Sequence, residues 1–121
     1  MEVMLARHAG ACYGVQRALD LAVAVIDEGR EVRTLGPLIH NPLVVSDLER
    51  RGARVAASVA DIDGGTVIIR SHGGTPGVRS SLSARGLDVV DATCPHVARA
   101  QDAAAQLAES GCRVLVVGEE G

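Results

Sequence analysis

Thr66-Val67-Ile68-Ile69-Arg70-Ser71-His72-Gly73-Gly74-Thr75-Pro76 is the stretch that decides the fold. Its first four residues are apolar or β-branched and, ending in Arg70, make the most strand-like run of the chain. Ser71 to Gly74 is a glycine-rich turn. Thr75-Pro76 then gives a capping hydroxyl followed by proline at the first helical position, and Gly86 stops the helix. A strand feeding straight into a helix is half of a βαβ unit.

The pattern recurs on both sides. Upstream, Val3 to Ala6 reads as a first strand and Cys12 to Glu28 as a helix with Val15, Ala18, Leu19, Ala22, Val23 and Ile26 on one face. Glu31 to Leu35 is a second strand, Asn41-Pro42 starts a helix that Gly52 ends, and Arg54 to Ala56 is a short strand. Downstream come a strand at Leu87 to Asp91, a helix from Pro95 to Ser110, and a final strand at Arg113 to Val117. Strands alternating with helices predict an α/β fold of βαβ units on a mostly parallel sheet. The turn at Gly118 to Gly121 would ordinarily lead into another helix, so the chain is expected to be cut short.

Composition narrows the function. With 121 residues, 47% apolar and rich in alanine and valine, the chain has room for one real core. Tyr13 is its only aromatic residue and the net charge is −3. A nucleic-acid surface needs a basic patch and usually stacking faces, so no nucleic-acid partner is expected. No apolar run approaches the roughly 20 residues that span a bilayer, and Met1 to Ala6 is too short for an export signal, so no membrane partner is expected either. Three cysteines without such a signal fit a cytoplasmic protein whose thiols serve metals or catalysis.

Two of them, Cys12 and Cys94, sit where a strand gives way to a helix, and His40 and His72 occupy equivalent junctions. In an open α/β sheet these junctions line one edge, so the four are expected to converge in one crevice. Cys12 is flanked by Gly10 and Gly14, which let the backbone approach a bulky ligand. Cys94 lies in Asp91-Ala92-Thr93-Cys94-Pro95, again at a helix start, where the N-terminal amides favour the negative charge of metal-bound sulfur. Taken singly, Cys12 reads more often as a small buried hydrophobe, and Cys94 reads equally as a chance neighbour of a cap. Their matching settings shift both toward metal binding. His40 precedes Asn41-Pro42 and His72 precedes two glycines, so both are expected to face helix amides that suit a phosphate or diphosphate. His8 and His96 lack such settings, and Cys112 reads as structural. Ser71 to Gly74 is not a P-loop and Gly10 to Gly14 is not a dinucleotide fingerprint. A tetrahedral zinc site on Cys12, His40, His72 and Cys94 is the alternative, giving a non-catalytic zinc-binding α/β module. A plain structural domain with free thiols is the third reading.

Four ordered blocks carry a resemblance. Ala9-Gly10-Ala11-Cys12-Tyr13-Gly14-Val15 with Arg17-Ala18, Gly36-Pro37-Leu38-Ile39-His40-Asn41-Pro42, Ile69-Arg70-Ser71-His72-Gly73 and Asp91-Ala92-Thr93-Cys94-Pro95 together resemble the 4-hydroxy-3-methylbut-2-enyl diphosphate reductase family, IspH or LytB. The chain departs from that pattern at Ala11, where phenylalanine is usual, and at Gly74, where valine is common. Neither change removes a functional group.

The resemblance implies an iron–sulfur reductase of the non-mevalonate isoprenoid route, which removes an allylic hydroxyl with two electrons and two protons. It gives isopentenyl and dimethylallyl diphosphate. It implies a 4Fe–4S cluster on three cysteines, leaving one iron open to bind the hydroxyl oxygen as a Lewis acid. Cys12 and Cys94 would be two of the ligands, and His40 and His72 would hold the diphosphate of the small allylic substrate. A ferredoxin or flavodoxin would suit as electron donor. The family body has three α/β lobes; residues 1–94 correspond to the first, and 95–121 to the opening helix and strand of an incomplete second. The third cysteine, a third histidine and the proton-donating glutamate are expected beyond Gly121, so residues 1–121 alone are expected to be inactive.

Overall fold

The computed structural model describes residues 2–7 and 9–118. Helix α1 spans Tyr13–Asp27, followed by β1 (Val32–Leu35), α2 (Pro42–Arg50), β2 (Ala53–Ala56) and a single 3-10 turn (Val59–Asp61). Then come β3 (Thr66–Ile69), α3 (Pro76–Ala84), β4 (Asp88–Asp91) and α4 (Pro95–Glu109). The four strands form one parallel sheet in the order β2-β1-β3-β4. Val32 lies opposite Ala53 on one side and Thr66 on the other, and Thr66 lies opposite Asp88. This is the expected α/β architecture.

Local chemistry sets the element ends. Asn41 Oδ1 accepts from the amide of Leu43 at 3.1 Å and Thr75 Oγ1 from that of Val78 at 3.3 Å, each just ahead of a proline that needs no amide partner. All four residues of β3 are buried, as a central parallel strand covered on both faces requires. Alternation along the strands divides the core. Val32 and Ile68 pack with Ala18, Ala22, Val25 and Leu48 of α1 and α2, whereas Val67 and Ile69 pack with Ile62 and Leu82 on the α3 side.

Two expected strands do not form. Val3 to Ala6 and Arg113 to Val117 have no ladder partner among the described residues, and Val3, Met4, Leu5, Leu115, Val116 and Val117 are all strongly exposed. A strand exists only through its neighbour, and β-prone composition does not supply one. Helix α4 likewise has no buried residue among those described. His8 and Glu119 to Gly121 lie outside the described residues. Among the described residues, no helix is long and apolar enough to cross a membrane.

Candidate functional site

The strand order reverses between β1 and β3. From β1 the chain crosses through α2 to β2 on one side, and from β3 it crosses through α3 to β4 on the other. The loops leaving the two strands therefore diverge, and the crevice between them is where open α/β sheets bind ligands. His40 ends the loop after β1 and His72 sits in the loop after β3. Their rings stack there, with centroids 5.1 Å apart and 24° between planes. Both residues are exposed.

The loops are held firmly beneath the rings. Gly36 at φ +71° makes the sharp exit from β1, and its amide bonds Ala56 O at 2.9 Å. Buried Ser71 donates its amide and its hydroxyl to Leu38 O, each at 3.5 Å, joining the two histidine loops. Gln101 Nε2 of α4 donates to His72 O at 3.1 Å. A cleft of about 900 Å³ opens beside His72, with Arg70, Gly74, Arg79 and Gln101 in its walls, while His40 lines a separate cleft of about 320 Å³. Side-chain caps already occupy part of the first turn of each helix that follows a histidine loop. Asn41 takes the amides of Leu43 and Val44, and Thr75 takes that of Val78.

The cysteines lie further along the same edge. Cys12 is the N-cap of α1 and Cys94 the N-cap of α4, and neither thiol caps its helix by a hydrogen bond. The Cys94 amide donates to Ser71 O at 2.9 Å, which ties it to the residue before His72. On its other side the Cys94 thiol packs against buried Gly14, two residues after Cys12: a methyl group at Gly14 would lie 2.8 Å from Cys94 Cβ and press on the sulfur. Cys112 is exposed, with Ser110 Oγ at 3.5 Å from its sulfur, and all three cysteines are unpaired. His96 is also exposed and meets Arg99 Nη2 at 2.9 Å.

The turn carrying Cys94 rests on a polar clamp that motif reading passed over. Asp91 accepts from the Thr93 amide at 2.9 Å and from the Thr93 hydroxyl, and it pairs with Arg79 of α3. Burial alone would raise the Asp91 pKa. The hydrogen bonds from the Thr93 hydroxyl and amide and from Arg79 outweigh it and hold the carboxyl below its ordinary value. The Asp91-x-Thr93 spacing, an Asx-turn pattern, was the signal available in the sequence.

Among the described residues, no three His, Cys, Asp or Glu side chains converge as a metal-binding group. The tetrahedral set of Cys12, His40, His72 and Cys94 expected of a zinc module is thus not assembled. The histidines form one pair, and Cys94 lies against the start of α1. Two thiols that cap no helix amide begin α1 and α4, and the Cys94 side chain packs against Gly14, a donor chemistry that suits a thiolate-bound cluster.

Comparison with known proteins follows the same lines. A family model described as LytB protein matches residues 3–121. A 4-hydroxy-3-methylbut-2-enyl diphosphate reductase of Geotalea uraniireducens is 44% identical over 119 residues, covering 98% of this chain and 42% of that protein. The enzyme of the same name from Syntrophotalea carbinolica is 47% identical over 120 residues, covering 99% and 43%. The chain thus spans about two-fifths of the length of these curated relatives. A solved (E)-4-hydroxy-3-methyl-but-2-enyl diphosphate reductase, described as the terminal enzyme of the non-mevalonate pathway, superimposes with TM-score 0.81 at 44% identity over 97% of this chain and 42% of its own. The E-1-hydroxy-2-methyl-but-2-enyl-4-diphosphate reductase of Plasmodium falciparum superimposes with TM-score 0.80 at 26% identity over 86% of this chain and 33% of its own. With the family model matching nearly the whole chain and the parallel sheet superimposing on solved reductases, the chain belongs to the LytB protein family.

Proposed function

We propose that the chain is the N-terminal part of an iron–sulfur reductase that converts 4-hydroxy-3-methylbut-2-enyl diphosphate to isopentenyl and dimethylallyl diphosphate. The carrying observation is the stacked His40–His72 pair at the reversal of strand order, one hydrogen-bonded turn away from Cys94. In this reading residues 1–94 are the first lobe, and 95–121 open a second.

Cys12 and Cys94 are two thiolate ligands of a 4Fe–4S cluster, with a third cysteine supplied from outside this chain. Bound there, such a cluster supplies electrons and a Lewis-acidic iron. The chain's own residues bind and orient. His40 and His72 present ring N–H groups to the diphosphate oxygens, and their stacking fixes the direction of both donors. Ser71 links that pair to Cys94 through its carbonyl, so the phosphate end and the cluster end are held at a set separation. Arg70 adds positive charge beside His72, in a cleft that it shares with the Arg79–Asp91 pair and with Asp102. Overall, the allylic C–O bond breaks, a C–H bond forms, two electrons and two protons are consumed and water leaves. Both protons are relayed from solvent by way of a glutamate outside this chain, and the electrons come from a ferredoxin or flavodoxin in the cytoplasm.

Anaerobically reconstituted full-length protein tests this directly. With a low-potential reductant it should turn the allylic diphosphate into the two five-carbon diphosphates, and residues 1–121 alone should not. A full-length protein with intact iron and no product, or one that hydrolyses the diphosphate instead, would contradict the reading.

A further inference from the structure

We propose that Arg17 is a positioning residue that fixes Cys94 relative to Cys12, an inference that rests on the cluster reading above. The two cysteines lie far apart in sequence and begin different helices, so something has to set their separation. Two residues on one face of α1, three apart, meet two consecutive residues of the turn between β4 and α4, and the adjoining residue of each segment is buried in a shared core. Gly14 receives the Cys94 side chain. Arg17 Nη1 donates to Thr93 O at 3.2 Å across a half-buried contact. Ala18 and Ala92 are both fully buried in the cluster of side chains shared by α1 and the sheet.

The acceptor matters. Thr93 O belongs to the peptide group whose nitrogen is that of Cys94, and that nitrogen donates to Ser71 O on the opposite side. Arg17 and Ser71 therefore hold one peptide plane from two directions, and the plane's orientation aims the Cys94 side chain. The Thr93 hydroxyl is independently engaged by Asp91 and Arg79, and its amide by Asp91, so the α3 side of the turn is fixed without Arg17. Arg17 contributes the α1 side, the side that carries Cys12. Its own helix is anchored by Ala18, Ala22 and Val25, so the fold does not depend on it.

The test uses full-length protein carrying Arg17→Met, with Arg17→Lys as the conservative variant. Cluster release to an iron chelator should quicken about tenfold in Arg17→Met, as for other residues that orient a metal ligand. The electron paramagnetic resonance line shape should shift, and Lys should restore part of both. In metal-free protein, iodoacetamide should alkylate Cys94 about fivefold faster, the scale of one lost hydrogen bond, with Cys12 unchanged. Wild-type release rates, spectra and alkylation in Arg17→Met would overturn the proposal. So would global unfolding of that variant, because Arg17 is given no share in holding the core. The two possible failures read differently. Wild-type protein that takes up no iron removes the cluster reading and this proposal with it, whereas iron-loaded wild type with an indifferent variant removes the proposal alone.

Discussion

The His40 and His72 rings lie face to face, 5.1 Å between centroids, although the residues sit on loops leaving different strands. Each ring restricts the other, so a diphosphate would meet two donors already oriented. Replacing either histidine with alanine should weaken binding of inorganic diphosphate about tenfold, as expected for one charge-assisted hydrogen bond. The double variant should lose less than the two single losses combined, because each single change also frees the remaining ring. Titration calorimetry on full-length protein measures both, and the cluster absorption should stay unchanged throughout. Strict additivity would argue that the stack does not orient the donors.

Gly14→Ala should be far more damaging than a helical glycine-to-alanine change normally is. Alanine favours helix by about 1 kcal/mol over glycine. Here the added methyl would press on Cys94 at 2.8 Å from its Cβ, so the turn has to move. Bound iron per protein should fall by more than half while far-UV circular dichroism keeps its helical signal, an order-of-magnitude expectation for a displaced ligand. Full iron loading in Gly14→Ala would show that Cys94 need not sit where the glycine admits it.

Asp91 gives the turn an acid-sensitive lock. Its folded carboxyl titrates below the ordinary 3.8, so its bonds to Thr93 and Arg79 stabilise fully above that value and are lost as the pH falls through the lowered one. Asp91→Asn should therefore lower the Tm at neutral pH, and the gap to wild type should close as the pH falls below the ordinary 3.8 and through the lowered value. Thermal melts across that range decide the point; a gap independent of pH would mean that the charge on Asp91 does not matter.

Thr34, on the central strand β1, is 2% exposed, and its hydroxyl finds no hydrogen-bond partner among the described residues. Valine has nearly the same shape without the unpaired oxygen. Thr34→Val should raise stability by about 1 kcal/mol, the low end of the cost of burying an unpaired hydroxyl. A drop in denaturation midpoint would show that the hydroxyl is partnered in solution.

The sequence made the sheet and its helices readable because their signals are local. Asn41-Pro42 and Thr75-Pro76 announce helix starts through cap chemistry, and the apolar and β-branched run Thr66 to Ile69 announces a strand. Val3 to Ala6 and Arg113 to Val117 carry the same local signal and form no strand, because pairing is supplied by a neighbour that the pattern itself does not name. The site shows the same division. The junction positions of Cys12, His40, His72 and Cys94 could be read from punctuation. That the histidines would stack, while Cys94 would turn toward Gly14, depends on the strand order β2-β1-β3-β4 and on the approach of α1 to the turn after β4. The Arg79–Asp91 and Arg17–Thr93 contacts join residues whose separation carries no period, and only the folded chain brings them together.

Bound iron and sulfide in full-length protein reconstituted without oxygen, compared across wild type, Cys12→Ser and Cys94→Ser, bear most directly on the role of this edge of the sheet. Wild type should carry a four-iron cluster whose brown colour bleaches with dithionite, and each serine variant should lose it. A colourless wild type holding a single zinc, or a cysteine variant that keeps its full iron and sulfide, would contradict the assignment of these two thiols.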